Sequence, residues 1–446
     1  MGNSEIAIVG GGCSGLLTAV QLVRHGFTGR ITIVEPHEAL GRGLAYSTTL
    51  DDHLLNVPAG KMSALPDQPD DFLEWLHARS WPGAAPGSFA PRRLYGEYLG
   101  GLLARFAPDA AVRHLRAEVE ALETGDASAR LRLNDGNTIE AHLVVLALGN
   151  PASGPALHLP PTGMEDRWHA SPWIGDPLRV RKPGERILLL GTGLTAVDTI
   201  LALQAHPGAP HTFLISRRAN LPQVHRPGAA PASLPPLQSR RLNGLMRELR
   251  GHIADAHDRD QCWRTVIDAL RPVSNALWSE LPLQDRERFL RHLRTYWETH
   301  RHRMAPAVRE KIDRYRAEGR LELMAGRLRG TALREDVIET RIALRGRGER
   351  MLEVDRIINC TGIQENYRDH PRELIASLVR DGLASPNDLG IGFRTDGGGA
   401  LIGSDGRVSP VLFTLGPPRR GELFETTALP EIRTQAAALG QRLAVG

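Results

Sequence analysis

Apolar and polar positions follow one another along this chain in an order that predicts buried strands and amphipathic helices. The apolar run Ile6–Val9 leads into a glycine-rich turn, after which apolar residues recur at three- and four-residue steps as far as Val23. A short apolar run predicts a buried parallel strand, and the periodicity after it predicts a helix. The same order returns in RILLLGTGLTAVDTILAL, residues 186–203. The pattern predicts an α/β chain with two Rossmann-like dinucleotide-binding domains.

The first turn has the spacing of a dinucleotide-binding fingerprint. Gly10, Gly12 and Gly15 fall in G-x-G-x-x-G order, and the next predicted strand, RITIVEP, ends at Glu35. The first glycine permits a tight turn, the second lets a pyrophosphate approach the backbone, and the third lets the helix pack closely on the strand. The acid can accept hydrogen bonds from a ribose diol. The candidate cofactor-binding residues of this unit are Gly10, Gly12, Cys13, Ser14, Gly15 and Glu35.

The second turn has a related fingerprint but a different end to its second strand. Its candidate cofactor-binding residues are Gly191, Gly193, Leu194 and Thr195, and alanine takes the place of the third glycine. The following strand, HTFLISRR, ends in Arg217 and Arg218 instead of an acid. Arginines at this point can pair with a 2′-phosphate and would favour NADPH, whereas two solvated loop arginines would not. The sequence therefore predicts a nicotinamide nucleotide here and leaves NADH or NADPH open.

Residues 237–318 have helical periodicity and predict a helical insert that covers the cofactor cleft. The segment RFLRHLRTYWETHRHRMAP combines an apolar stripe with a dense run of basic residues. These basic residues would form a solvated face opposite the stripe, or some of them would bind an anionic substrate or the nicotinamide pyrophosphate. On the second interpretation, the candidate catalytic residues are Arg291, His300 and Arg301.

Composition excludes several other classes of protein. The 446 residues have a net charge of +4, and the basic residues form local groups and no tail, so we expect no nucleic-acid or membrane partner. Three separated cysteines without a C-x-x-C motif argue against a disulfide framework, a zinc site and a redox dithiol. No histidine and carboxylate set has the spacing of a metal site. Without a signal-like N-terminus or an apolar membrane segment, we expect a cytoplasmic protein.

Six motifs in their joint order carry a resemblance to a known group. GRGLAY, LLNVPAGKMSA, PRRLYGEYL, GTGLTAVD, INCTG and ETTALPEIR occur in this sequence in that order. This order resembles the FAD/NAD(P)-binding proteins that include FAD-dependent urate hydroxylases and flavin-dependent aspartate N-monooxygenases. The resemblance implies FAD on the first unit and NADH or NADPH on the second. It also implies that Val119 meets the adenine through its backbone and that Asn56 and Gly416 lie near the flavin.

The predicted strands divide the chain between two cofactor domains. The strand LVVLALGNP, which contains Gly149, ends in glycine where such a chain crosses between domains. On this basis residues 1–180 and 346–446 would form the FAD-binding domain. Residues 181–236 and 319–345 would form the NAD(P)-binding domain, with the helical insert between these two segments.

The resemblance implies an NAD(P)H-consuming monooxygenase that acts on a small-molecule substrate and O₂. Within it, the sequence favours urate 5-hydroxylation to 5-hydroxyisourate, a step of purine catabolism, because the arginine-rich insert would suit an anionic purine. The alternative is N-hydroxylation of an amine or amino acid. An alternative of another class is a flavin reductase or electron-transfer flavoprotein without an organic substrate.

Overall fold

The computed structural model describes residues 4–79, 81–107, 112–150, 163–226, 234–362 and 365–445. The strands are β1 (Glu5–Val9), β2 (Arg30–Val34), β3 (Val112–Leu115), β4 (Val119–Thr124), β5 (Ala129–Leu133), β6 (Thr138–Ala141), β7 (Leu143–Leu146), β8 (Trp168–His169), β9 (Arg186–Leu190), β10 (His211–Ser216), β11 (Leu321–Arg334), β12 (Val337–Leu344), β13 (Gly348–Val354), β14 (Arg356–Asn359), β15 (Ala400–Ile402) and β16 (Val408–Thr414). The helices are α1 (Cys13–Arg24), α2 (Gly43–Tyr46), α3 (Asp71–Arg79), α4 (Arg92–Phe106), α5 (Leu194–Gln204), α6 (Leu242–Asp258), α7 (Trp263–Leu270), α8 (Ser274–Glu280), α9 (Leu283–Arg288), α10 (Arg294–Arg301), α11 (Pro306–Ala317), α12 (Glu373–Arg380) and α13 (Leu429–Val445).

The first sheet has six strands in the order β15–β16–β7–β1–β2–β3. Its strands run parallel except β15, which is antiparallel to β16. Because side chains of a strand alternate between faces, Ile6 and Ile8 pack with α1, α4 and α13, whereas Ala7 and Val9 pack with α12 and the small sheet β4–β5–β6. The first apolar run of the sequence is therefore buried on both faces, as a parallel strand requires.

The second sheet has seven strands in the order β13–β12–β11–β10–β9–β14–β8. The strands β8, β14, β9, β10 and the first part of β11 run parallel, and β11, β12 and β13 form an antiparallel ribbon. Ile187 and Leu189 of β9 pack with α5 and α11, and Leu188 and Leu190 pack with β12 and β13. Two Rossmann-type sheets are present, which confirms the predicted α/β fold class.

The strand pairings move the domain boundaries that the sequence predicted. Strands β13 and β14 belong to the second sheet, so this domain extends through Asn359 and does not end at residue 345. Trp168–His169 also pairs with β14, before the predicted boundary at residue 180. Helix α11 packs Val308 and Ile312 into the core of the second sheet, so it is part of that domain and not of the helical insert. Local sequence patterns do not reveal the long-range pairing of β14 with β8 and β9, and β13 joins the sheet through its hairpin with β12.

Helices α6–α10 form the helical insert around a small core of their own. Leu242, Trp278 and Phe289 pack together, and Phe424 of the C-terminal part packs against them. A π-helical turn at Phe289–Leu293 joins α9 to α10. The insert is therefore attached to the FAD side of the molecule by an apolar contact. In the ranges described, no helix is both long and apolar enough to cross a membrane.

Candidate coenzyme-binding sites

The first glycine turn has the backbone geometry that its fingerprint predicts. Gly10 has φ +103°, and a Cβ added there would lie 2.4 Å from the Ala147 carbonyl oxygen. A Cβ at Gly15 would lie 1.9 Å from the Gly10 oxygen, so helix α1 can pack this closely only with glycine at that position. Gly12 caps α1 without a side-chain hydrogen bond, and the first turn of α1 has no acidic residue. Its backbone N–H groups are therefore suited to a pyrophosphate.

Glu35 lies directly after β2 and its carboxylate contacts the same turn. The Gly11 N–H donates to Glu35 Oε2 at 2.8 Å, and the His37 N–H donates to Oε1 at 3.1 Å. Burial alone would raise the pKa of Glu35, but these hydrogen bonds and His37 hold the pKa below its usual value. The group is therefore an ionised acceptor at the carboxyl end of the sheet. Its contact with a ribose remains a prediction.

The C-terminal part of the chain meets the start of α1 at Gly416. Gly416 has φ +72°, and a Cβ there would lie 3.2 Å from Ser14 Oγ. The Gly416 N–H donates to Gln435 Oε1 at 3.0 Å, and Thr426 Oγ1 donates to the Gly416 oxygen at 2.8 Å. The structure thus brings two predicted site residues together that lie far apart in the sequence. Burial raises the pKa of Cys13 beside them to about 12, so its thiol stays protonated.

The remaining residues predicted for the first unit lie around its edges. Val119 begins β4 and is buried with Val9 and Val34 of the first sheet. Gly149 follows β7 with φ +61°, and a Cβ there would meet no atom within 4 Å. The Asn56 carbonyl accepts a hydrogen bond from His225 Nε2 at 2.9 Å, so Asn56 lies at the contact between the two domains. Their contacts with FAD remain predictions.

The second glycine turn repeats the geometry of the first. Gly191 has φ +110°, and a Cβ added there would lie 2.5 Å from the Cys360 carbonyl oxygen. Gly10 approaches the Ala147 carbonyl oxygen in the same way. The Gly191 N–H donates to the Ile215 oxygen at 2.8 Å, and the Gly10 N–H donates to the Val34 oxygen at 2.9 Å. Gly193 caps α5 without a side-chain hydrogen bond, and α5, which begins with Leu194 and Thr195, has no acid in its first turn. The chain therefore has two equivalent places for a pyrophosphate.

The two units differ at the end of their second strand. Ser216 follows Ile215 where Glu35 follows Val34, and Ser216 Oγ accepts a hydrogen bond from Thr192 Oγ1 at 3.0 Å. Behind Ser216 opens a cavity of about 560 Å³. Its lining residues are Arg217, Arg218, Arg291, His292, Gly326, Arg327, Arg329, Ala343, Leu344 and Arg345. No carboxylate of the described residues lines it, so the cavity is strongly basic.

The structure does not bring the three candidate catalytic residues together. Arg291 lines the basic cavity beside Arg217 and Arg218 and does not lie with the other two candidates. Arg301 pairs with Glu425 at 3.2 Å, and both side chains are buried. His300 is half-buried, and its Nδ1 bonds the Tyr296 oxygen of the same helix at 2.7 Å. Arg291 and Arg301 therefore have different surroundings, and the catalytic roles of all three residues remain predictions.

Carboxylates that the sequence analysis missed neutralise the insert. Arg294 Nη2 donates to Glu365 at 2.8 Å, and Arg294 Nε donates to Glu298 at 2.7 Å. Arg420 also pairs with both Glu365 and Glu298. Glu298 lies one turn along α10 from Arg294, whereas Glu365 lies outside this helix. No local sequence motif identifies either residue as a partner of these arginines. Together with the Arg301–Glu425 pair, they leave this region nearly balanced in charge.

A second set of contacts holds the two coenzyme domains against each other. Arg92, at the start of α4, makes two hydrogen bonds to Asp198 of α5, at 2.7 and 3.1 Å. His53 Nε2 lies 2.9 Å from the Asp198 carbonyl oxygen. Phe89 packs against His225 with ring centroids 5.0 Å apart. Bidentate Arg–carboxylate pairs fix orientation, so this contact defines how the two glycine turns face each other.

Comparisons with known proteins agree with this geometry. Residues 7–151 match a family model described as FAD-NAD(P)-binding. Among curated proteins, no sequence matches the chain significantly. The fold is similar to L-lysine 6-monooxygenase from Pseudomonas syringae, with 16% identity, 100% of both chains covered and a TM-score of 0.68. It is also similar to ornithine N-hydroxylase from Kutzneria sp. 744, with 16% identity, 98% of each chain covered and a TM-score of 0.65.

Disulfide reductases share the same paired domains. The fold is similar to that of bacillithiol disulfide reductase from Staphylococcus aureus, with 11% identity and a TM-score of 0.57. The match covers 100% of this chain and 99% of the reductase. At these identities a structural likeness shows the fold alone. The family match and the two glycine turns together confirm the predicted cofactors: this chain has an FAD-NAD(P)-binding fold, and its cofactors are FAD and a nicotinamide nucleotide.

Proposed function

We propose that this protein is an FAD-dependent, NAD(P)H-consuming monooxygenase that N-hydroxylates an amine or amino acid. The observation that carries the proposal is the likeness to the lysine and ornithine hydroxylases, which extends over 98–100% of the chain with TM-scores of 0.65–0.68. The disulfide reductases that share the paired domains have TM-scores of 0.51–0.57. The higher TM-scores of the N-hydroxylases therefore favour N-hydroxylation over disulfide reduction as the proposed reaction.

Cysteine chemistry supports the same choice between these two classes. A disulfide reductase passes two electrons from the flavin to a disulfide bond, which becomes a pair of thiols, and the three cysteines of this chain are widely separated in the sequence. All three are free, and burial raises the pKa of Cys13 and of Cys360 to about 12. A buried protonated thiol is a poor nucleophile. These two thiols are therefore unsuited to the reduction of a disulfide substrate. Although partial burial acts in the opposite direction, hydrogen bonds from Arg264 lower the pKa of Cys262, but no second cysteine lies near it in the sequence.

The ion pairs of the insert argue against urate as the substrate. Urate was favoured because unpaired arginines of the insert would bind an anionic purine. Arg294 and Arg301 are instead neutralised by glutamates, and Arg291 lines the basic cavity behind β10. Because these arginines are already paired with glutamates, this part of the described structure gives no reason to favour a simple anion over an amino acid. N-hydroxylation is thus the favoured reaction, and urate hydroxylation becomes the alternative.

The residues of the chain have distinct tasks in this proposal. Bound FAD would supply the redox chemistry, accepting a hydride from the nicotinamide and activating O₂ for transfer to the substrate nitrogen. The turn at Gly12 would hold the FAD pyrophosphate, and the turn at Gly193 would hold that of the nicotinamide nucleotide. The Arg92–Asp198 pair would keep the two turns in a fixed relation. Positioning of this kind is the main contribution of a protein to cofactor chemistry.

A product assay with the FAD-loaded protein tests the proposal. NADPH oxidation, O₂ uptake, hydroxylamine and H₂O₂ are measured with L-ornithine, L-lysine or urate added separately. We expect one of the two amino acids to accelerate NADPH oxidation and to yield one hydroxylamine for each NADPH. Acceleration by urate with loss of urate would instead support the alternative. NADPH oxidation that no added compound changes, with all O₂ recovered as H₂O₂, would contradict oxygenation of either substrate.

A further inference from the structure

Six arginines surround the cavity behind β10, and the dinucleotide fingerprint accounts for two of them. Arg217 and Arg218 come directly after β10 and were predicted from the sequence. The other four are Arg291 of the π-helical turn, Arg327 and Arg329 of β11, and Arg345 after β12. They come from two separate segments, the helical insert and the β11–β12 hairpin, and the family match over residues 7–151 does not reach any of them.

The long strand β11 explains how these arginines reach the coenzyme side of the sheet. Its first part, Leu321–Ala325, pairs with β10 as far as Ser216. The strand then continues past the carboxyl end of β10 as a ribbon with β12. Ligands of open α/β sheets bind outside the carboxyl ends of the strands. The extension of β11 therefore forms a wall beside the place where the ribose next to the adenine would lie.

Two arginines of β11 line the same cavity. Arg327 and Arg329 are exposed and flank Leu328, which is 9% exposed and packs in the core. Because side chains alternate along a strand, Arg327 projects from the face opposite Leu328, and Arg329 lies at a bulge in the pairing of β11 with β12 and lines the cavity beside it. The Arg345 N–H donates to the Ala325 oxygen at 2.8 Å, which fixes this residue beside the same wall. The arginines of the ribbon are thus held by regular structure.

The charges in this cavity have no counterpart within the described residues. None of the six guanidinium groups forms a salt bridge there, although many arginines elsewhere do. Arg218 stacks over the Tyr296 ring at 4.8 Å, and Arg217 has a long contact of 3.5 Å with Thr295 Oγ1. Like charges around one cavity repel one another and create a strongly positive potential, which an anionic ligand relieves. The cavity is therefore suited to a multiply charged anion.

We propose that this six-arginine cavity binds the 2′-phosphoadenosine end of NADPH, and that Arg327, Arg329, Arg345 and Arg291 determine the preference for NADPH over NADH together with Arg217 and Arg218. A dianionic phosphate accepts several charge-assisted hydrogen bonds, and guanidinium planes also stack on a base. NADH would place an uncharged hydroxyl among the same arginines. This inference rests on the proposed function in that a nicotinamide nucleotide is the electron donor.

Binding of nucleotide fragments to the full-length, FAD-loaded protein tests the inference without turnover. The probes are 2′,5′-ADP, which carries the 2′-phosphate, and 5′-AMP, which lacks it. Arg327→Met and Arg345→Met should each weaken 2′,5′-ADP about tenfold or more, the loss expected for one charge-assisted hydrogen bond. Binding of 5′-AMP should change less than about twofold. Arg334→Met is the matched control, because Arg334 is exposed at the end of β11 and does not line the cavity.

A second measurement keeps the inference testable if a variant folds poorly. In the wild-type protein, 2′,5′-ADP should protect Arg327, Arg329 and Arg345 from modification by phenylglyoxal, and 5′-AMP should not. An equal loss of affinity for 2′,5′-ADP and 5′-AMP in the variants would overturn the inference. So would a failure of 2′,5′-ADP to protect these arginines. If 2′,5′-ADP binds as expected but no amino acid is hydroxylated, the proposed function fails and the phosphate site stands.

Discussion

Glycines of the first turn differ in what a side chain would meet. A Cβ at Gly12 would lie 3.5 Å from the Gly43 Cα, an ordinary contact, whereas a Cβ at Gly10 or Gly15 would collide with backbone. Gly12→Glu therefore fits the fold but places a carboxylate where the pyrophosphate must approach. We expect the purified variant to fold and to retain less than about a tenth of the wild-type FAD, because like charges repel at this point.

The matched control for this substitution is Gly101→Glu, since Gly101 is exposed on α4 and a Cβ there meets no atom within 4 Å. Flavin absorbance for each chain and circular dichroism measure the two outcomes. A yellow Gly12→Glu protein with the FAD content of the Gly101→Glu control would show that the first turn does not hold FAD.

Two arginines of the insert that look alike in the sequence have different surroundings. Arg301 is 9% exposed and pairs with Glu425, which is 5% exposed, whereas Arg291 is exposed at the basic cavity. Arg301→Met leaves a buried carboxylate without its partner and should lower the free energy of unfolding by about 3–5 kcal/mol. Arg291→Met should change it by less than about 0.5 kcal/mol.

Urea unfolding of both variants measures this difference. The Arg301–Glu425 pair is not evident from the sequence, because Glu425 lies 124 residues from Arg301. Equal stability of the two variants would mean that the Arg301–Glu425 pair does not hold this part of the insert.

At the scale of elements, the contact between the coenzyme domains contains a half-buried histidine, His225. Burial lowers the pKa of His225 to about 4, helped by the positive charge of Arg303, although the hydrogen bond to Asn56 opposes this shift. The unfolded chain titrates near pH 6.5. As the pH falls below 6.5, the unfolded state takes up this proton first, so the stability present above pH 6.5 is lost progressively toward pH 4.

We therefore expect His225→Gln to reduce the fall in stability between pH 7 and pH 5. The contribution of a single histidine with this shift is about 2 kcal/mol at pH 5. Urea unfolding at the two pH values measures it, and the exposed His206→Gln variant is the control. An unchanged pH dependence in His225→Gln would show that this histidine does not titrate with folding.

At the scale of the whole molecule, the sequence was informative where structure is local. Each glycine turn, its strand and its helix lie within about two dozen residues, so spacing alone predicted both nucleotide units. Strand β14 was assigned to the wrong domain because its partners β8 and β9 lie more than a hundred residues away, and β13 was assigned with it although it forms a hairpin with β12. The basic cavity and the Arg301–Glu425 pair were missed for the same reason. Periodicity predicts which elements form, and it does not indicate which distant elements meet.

The central claim is that one unit holds FAD and the other admits the nicotinamide nucleotide that reduces it. Anaerobic mixing of the FAD-loaded protein with NADPH tests this division most directly, with Gly193→Glu as the variant. A Cβ at Gly193 meets no atom within 4 Å, so glutamate fits there while blocking the second pyrophosphate position. We predict that one NADPH bleaches one flavin in the wild-type protein, and that Gly193→Glu keeps its FAD but is reduced at least about tenfold more slowly at low NADPH. Reduction of Gly193→Glu at the wild-type rate, or a wild-type flavin that neither NADPH nor NADH reduces, would contradict the claim.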